Sequence, residues 1–129
     1  MKYGLNEQII TQINSVFAHY PEVEQVILYG SRAKGTYKNG SDIDLTLKGN
    51  RLDLAIINKI SNDIDDLLLP YSFDISIFSQ ISNAGLVDHI NRVGVVFYEI
   101  SSIKSLTTNV ARQQVRNNAQ NNDQSGFPK

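Results

Sequence analysis

Apolar side chains at Leu5, Ile9, Ile13, Val16, Phe17 and Tyr20 recur at the spacing of an amphipathic helix. Asn6 stands at the N-cap position, Glu7 lies just inside the first turn, and Pro21 stops the run. The next segment, Glu24 to Tyr29, is short and β-prone and ends abruptly at Gly30; it predicts a strand buried on both faces. Ser31 to Ser41 is polar and, with Gly30 just ahead of it, holds Gly35 and Gly40, which predicts a loop opening with one helical turn at Ser31. Asp42 to Leu47 alternates, with Ile43, Leu45 and Leu47 on one face and Asp42, Asp44 and Thr46 on the other, as a half-buried strand does.

Gly49-Asn50 breaks that strand. Arg51 to Leu69 then carries Leu52, Ile56, Ile57, Ile60, Ile64, Leu67 and Leu68 at helical spacing, and Pro70 ends it. Tyr71 to Phe78 alternates again: Phe73, Ile75 and Ile77 share one face, Asp74, Ser76 and Phe78 the other. Asn83 to Val93 reads as a short helix capped by Asn83 and stopped at Gly94, and Val95 to Ile100 as a last strand. The order helix, strand, strand, helix, strand, helix, strand implies an α/β (α+β) domain over residues 1–100, with a small mixed sheet backed by helices. Past Ser101 the pattern fades. Ile103, Leu106 and Val110 could seat one weak helix, but Asn109 to Gln124 holds nine Asn or Gln residues, so 101–129 is expected to be a weakly helical to disordered tail.

Composition narrows the function classes. At 129 residues, 41% hydrophobic and 19% charged, the chain suits one ordinary soluble domain. A formal charge of −1 gives no general pull toward nucleic acid, so no direct nucleic-acid binding is expected and any phosphate binding must come from local geometry. The absence of cysteine excludes disulfides and thiolate metal sites and fits a reducing cytoplasm. No apolar run marks a signal peptide or a membrane span, so a cytoplasmic location is the expectation.

Three features carry candidate chemistry. Gly30-Ser31 closes a strand and opens a helical turn; glycine admits close approach of a phosphate, exposed N–H groups there bind anions, and Ser31 adds a hydroxyl. Taken alone, such a pair is usually a plain turn. Asp42 and Asp44, two apart on a strand, leave the same sheet face; their repulsion is best relieved by a divalent cation, although an isolated Asp-x-Asp is commonly just solvated. Asp74 interrupts a strand whose neighbours claim the core, where aspartate is depleted unless its face is open to water. Together, a phosphate cradle and three aspartates without a histidine or cysteine cluster supply the parts of two-metal phosphoryl chemistry with Mg²⁺ and disfavour zinc.

The string Gly30-Ser31-Arg32-Ala33-Lys34-Gly35, followed by Gly40-Ser41-Asp42-Ile43-Asp44-Leu45, resembles the signature of the DNA polymerase β-like nucleotidyltransferase superfamily, in particular its minimal nucleotidyltransferases. Ten residues separate Gly30-Ser31 from the Asp-x-Asp, Phe73-Asp74-Ile75 falls where the family's third aspartate is expected, and Leu86 to Tyr98 is similar to the family's ending. The similarity runs from about Leu5 to Tyr98. It implies the palm-like fold of polymerase β. It assigns Gly30 and Ser31 to the triphosphate, Asp42, Asp44 and Asp74 to two Mg²⁺ ions, and Asp74 also to proton removal from the acceptor. Arg32 and Lys34 could contact phosphate, with solvent-exposed loop charges an equal alternative.

His89 is read as structural or partner-facing rather than catalytic, His19 as an imidazole mildly favourable near a helix end, Tyr29 and Tyr98 as core aromatics, and Arg112 and Arg116 as too thin a basic patch for nucleic acid. No further foldable segment is expected beyond Ile100 to grip an acceptor, so a second protein is expected to supply it. Similar minimal nucleotidyltransferases pair as antitoxins with HEPN-domain ribonuclease toxins and attach AMP to a tyrosine. The resemblance therefore implies an ATP-using adenylyltransferase acting on a cognate HEPN toxin. The alternatives are nucleotidyl transfer to a small molecule such as an aminoglycoside, and a non-catalytic antitoxin that acts by binding alone.

Overall fold

The computed structural model describes residues 1–100; the Asn/Gln-rich tail expected at 101–129 lies outside the described residues. The elements follow in the order α1 (Glu7–Ala18), β1 (Gln25–Tyr29), α2 (Gly30–Lys34), β2 (Ile43–Lys48), α3 (Leu54–Asp65), β3 (Phe73–Ile77), a 3₁₀ turn (Phe78–Gln80), α4 (Ala84–Val93) and β4 (Val95–Glu99). Three helices begin on an Asx side chain. Asn6 accepts from the Ile9 amide at 2.8 Å, Asp53 from Ile56 at 2.9 Å and Asn83 from Leu86 at 2.9 Å, so each cap satisfies an amide that has no intrahelical acceptor.

The four strands form one mixed sheet in the order β3-β2-β1-β4. β1 is central and antiparallel to both β2 and β4, whereas β2 runs parallel to β3. A parallel neighbour cannot be reached by a hairpin; α3 is the crossover between the two. The main core lies between one sheet face and the helices α1 and α3, where Ile13, Val16, Phe17, Ile57, Ile60 and Ile64 meet Val26, Leu28, Ile43, Leu45 and Leu47. On the other face Ile27 and Tyr29 pack against Ile90 of α4, with Phe78, Ile81 and Leu86 around them. β1 is thus covered on both sides, as its unbroken apolar run predicts. Thr46, expected on an open face, is fully buried, and its hydroxyl accepts from Ser76 on the adjacent strand at 2.9 Å.

Several boundaries differ from the periodicity. α3 begins at Leu54, after the Asp53 cap, and ends at Asp65, well ahead of Pro70. Leu67 and Leu69 turn back onto the core while Leu68 is thrown outward, 88% exposed at a φ of 56°; burying the two flanking leucines outweighs the left-handed strain of about 1 kcal/mol. Phe73 and Ile75 are only half-buried because β3 is an edge strand. Gly94 does stop α4, but in an extended conformation (φ −62°, ψ 144°) rather than a left-handed cap. Glycine is needed there because a Cβ would overlap the Ile90 carbonyl and the Ile27 side chain. On β4 the register slips between Tyr98 and Val96, leaving Phe97 as a bulge residue; its carbonyl accepts from the Asn14 side-chain amide of α1 at 3.3 Å.

One polar contact ties the two core-covering helices together. The Tyr20 hydroxyl, just past α1, donates to Asp63 Oδ2 of α3 at 2.5 Å. That bond, with burial and the charges of Asp63 and Glu22 behind it, pushes the phenol up to about 12. Tyr20→Phe is expected to lower stability by about 1 kcal/mol at neutral pH. Because the folded-state pKa is raised, the wild-type advantage is complete below pH 10 and is lost as pH rises toward 12. Urea denaturation of both proteins across that range checks it; a constant difference would refute the assignment.

Candidate active site

The carboxyl end of β1, the start of β2 and the start of β3 bring the sequence-predicted residues to one end of the sheet. Tyr29 is the register partner of Asp44, and Asp44 of Asp74. Register partners on neighbouring strands point to the same face, about 4.8 Å apart from strand to strand. Tyr29, Asp44 and Asp74 therefore form a row across three strands, on the face that α4 covers rather than the face that α1 and α3 cover. Asp42 stands ahead of β2 and is exposed, Asp44 is half-buried, and Asp74 is exposed. Thr46 and Ser76 pair one step further along this face, followed by Lys48 Nζ, 4.6 Å from the centre of the Phe78 ring.

Burial first, then the charges of Asp74 and Asp42, raise the Asp44 pKa above its ordinary value, with the Arg32 cation opposing them. The Tyr29 phenol is likewise raised, by burial and then by Asp74. Among the described residues no three His, Cys, Asp or Glu side chains already surround a common point as a metal site. The donor set nevertheless fits a hard divalent cation. Carboxylate oxygens on one face, partly desolvated and mutually repelling, suit Mg²⁺, which is held by few carboxylates and completes its shell with substrate oxygens and water.

Gly30 turns β1 into α2 with a φ of 74°. Any side chain there would be strained, and its Cβ would overlap Asp44 Oδ2. The first residue of α2 therefore lies directly against the carboxylate row. The N-cap of this short helix is Tyr29, which makes no side-chain bond to its amides. Ser31 is half-buried beside it.

Arg32 is not the solvent-exposed loop charge that one of the two sequence-based alternatives made it. It is 3% exposed. Nε and Nη2 both donate to the Ser41 carbonyl, at 3.0 and 2.9 Å, and Nη1 donates to the Tyr3 carbonyl at 2.9 Å. Its guanidinium lies 5.4 Å from the ring centre of Tyr37 and 5.1 Å from that of Tyr71. The side chain thus ties α2 to the residue immediately before Asp42 and to the N-terminal segment. Lys34 is exposed. His19 is the C-cap of α1 and its Nδ1 meets the Ser15 carbonyl at 2.7 Å.

His89, read from sequence as structural or partner-facing, stands beside the candidate site. Its ring meets Tyr29 edge-on at 6.2 Å, and Nε2 accepts the Gly30 N–H at 3.2 Å. A signal for this existed: Leu86, His89, Ile90 and Val93 fall at helical spacing on one face, so the imidazole occupies a core-facing position.

Residues 11–103 match the family described as polymerase beta, nucleotidyltransferase. The chain belongs to that family. A search of curated proteins finds no match to the chain. Among solved structures, the fold is similar to a chain of a toxin–antitoxin complex crystallised with AMP-PNP, with a TM-score of 0.58, 20% identity, and coverage of 90% of this chain and 94% of the other. It is also similar to a chain of the MntA-HepT toxin–antitoxin, with a TM-score of 0.55, 15% identity, and coverage of 89% and 93%. A third similar chain comes from a complex of the tri-AMPylated Shewanella oneidensis HEPN toxin with an MNT antitoxin, with a TM-score of 0.56, 15% identity, and coverage of 90% and 93%. No helix among the described residues is long and apolar enough to cross a membrane.

Asp44→Asn should modestly stabilise the protein at neutral pH. A raised carboxyl pKa means ionisation is disfavoured by folding, so the gain appears as pH rises through the folded-state value. It vanishes in acid, where the wild-type carboxyl is protonated in both folded and unfolded chains. Thermal unfolding from pH 3 to 8 reads the difference, and a less stable variant at pH 7 would contradict it. Arg32→Lys should cost about 2 kcal/mol in urea denaturation, since an ammonium reproduces neither the fork nor the stacking. Unchanged stability would show that the buried fork holds nothing in place.

Proposed function

We propose that this chain is a protein adenylyltransferase that transfers AMP from ATP to a tyrosine hydroxyl of a cognate HEPN ribonuclease toxin, and so acts as its antitoxin. The observation that carries the reading is the in-register pairing of Asp44 with Asp74 directly beside Gly30 and Ser31. Membership of the nucleotidyltransferase family supports the reaction class. The partner is supported by the fold-level likeness to a complex of an AMPylated HEPN toxin with an MNT antitoxin, and ATP by the likeness to a toxin–antitoxin complex holding AMP-PNP.

The chain's own residues divide the work as follows. The Ser31 amide and hydroxyl, at the start of α2, bind triphosphate oxygens. Gly30 leaves the space in which those oxygens approach the carboxylate row. Asp42, Asp44 and Asp74 would hold two Mg²⁺ ions together with the triphosphate. Bound there, Mg²⁺ supplies neutralisation of phosphate charge and a more acidic acceptor hydroxyl. Asp74, exposed on the edge strand, is open to the acceptor and takes its proton as the phenolic oxygen bonds to the α-phosphorus and the bond to the β-phosphate oxygen breaks. Pyrophosphate leaves. Arg32 touches none of these atoms; it fixes Ser41, and with it the backbone that presents Asp42.

Incubation of the protein with α-labelled ATP, Mg²⁺ and the product of the neighbouring gene tests the reading. Label is expected on a tyrosine of that product, reduced about 100-fold or more by Asp44→Asn or Asp74→Asn, and lost on chelation of the metal. Absence of carboxylate-dependent label on the partner would overturn it. Protection by Asp44→Asn equal to wild type would favour neutralisation by binding alone, and label on an aminoglycoside would favour small-molecule transfer.

A further inference from the structure

Gly30 faces two opposed demands. A φ of 74° restricts the position to glycine, and a Cβ there would also press on Asp44 Oδ2, yet glycine is the residue least able to hold its own backbone in place. Its N–H enters a short helix where no intrahelical acceptor exists, and Tyr29 supplies no side-chain cap. The restraint comes from a different element. His89 of α4 reaches across to accept that N–H through Nε2 at 3.2 Å, its ring held edge-on against Tyr29. Accepting through Nε2 assigns the ring proton of the neutral imidazole to Nδ1.

We propose that His89 is a positioning residue of the triphosphate cradle. By holding the Tyr29–Gly30 peptide plane, it sets the direction of the next amide, that of Ser31, and of the Ser31 hydroxyl. The Gly30 amide is thereby taken up internally, and the Ser31 amide is the one left for phosphate. His89 touches no reacting atom, so its influence belongs to nucleotide binding rather than to the chemical step. The inference rests on the nucleotidyltransferase reading of Gly30 and Ser31.

The test measures binding of AMP-PNP with Mg²⁺ to the full chain by calorimetry, alongside KM and kcat for AMP transfer. His89→Leu keeps bulk and removes the acceptor; it should weaken AMP-PNP binding about five- to tenfold, the equivalent of one lost hydrogen bond. KM for ATP should rise in parallel and kcat should stay near wild type. His89→Gln, whose side-chain oxygen can accept the same bond, should bind within about twofold of wild type, whereas the shorter His89→Asn should resemble leucine. Should the leucine variant fail to fold, the Gln–Asn pair decides. Leucine or asparagine variants that bind like wild type, or a glutamine variant as weak as leucine, would overturn the role. Wild type that binds AMP-PNP but transfers nothing would sink the adenylyltransferase reading while leaving this inference to the variants. Wild type that binds no AMP-PNP would overturn both.

Discussion

The arrangement depends on the parallel pairing of β2 with β3 in a register that sets Asp44 beside Asp74. Two carboxylates on adjacent strands repel, and the half-burial of Asp44 sharpens the repulsion by excluding part of the screening water. The fold sustains it because the opposite face of the same strands is fully apolar. Ile43, Leu45 and Leu47 are buried against α1 and α3, and a slip of one residue would exchange the aspartates with those side chains. The core therefore dictates where the charges stand. The face that carries them is anchored one step further on by Thr46 and Ser76.

Around this row the remaining contacts hold backbone rather than substrate. Arg32 converts the polar loop after α2 into a fixed strut by binding the Ser41 carbonyl through two nitrogens. The turn from Lys38 to Ser41 is closed by two reciprocal bonds, Lys38 N–H to Ser41 Oγ at 2.8 Å and Ser41 N–H to the Lys38 carbonyl at 3.0 Å. Asp42 thus departs from a braced segment although it is itself exposed. Preorganisation of this kind lets a site with few direct contacts hold its geometry before substrate arrives. α4 has a matching part on the other side: it seals Ile27 and Tyr29 through Ile90 and delivers His89 to the head of α2.

Much of the fold was legible from periodicity because the longer helices and the strands β2 and β3 each have one clear apolar face, and β1 is an unbroken apolar run. The three Asx caps were legible in part: Asn6 and Asn83 stand at the pattern boundaries, whereas Asp53 was hidden by Arg51 and Leu52 continuing an apparently helical run. The early end of α3 was not legible. Three consecutive leucines read as helix, and only the competition for core space shows that Leu68 must flip outward. The candidate site was legible as a set of residues. Its internal division was not, because Arg32 in the family-like string looks the same whether it meets phosphate, solvent or a carbonyl.

The order of apolar and polar residues alone determined the sequence of elements, the main core-facing side of β2 and β3, and the presence of Gly30, Ser31, Asp42, Asp44 and Asp74 at strand ends. Alternation and helical periodicity are local, and local geometry suffices to read them. The tertiary structure decided which strands are neighbours, that Asp44 and Asp74 share a row, that Arg32 turns inward, and that His89 meets Gly30. Those are contacts between residues 9 to 74 positions apart. They depend on how the helices pack on the two faces of the sheet, and no pattern along the chain encodes that directly.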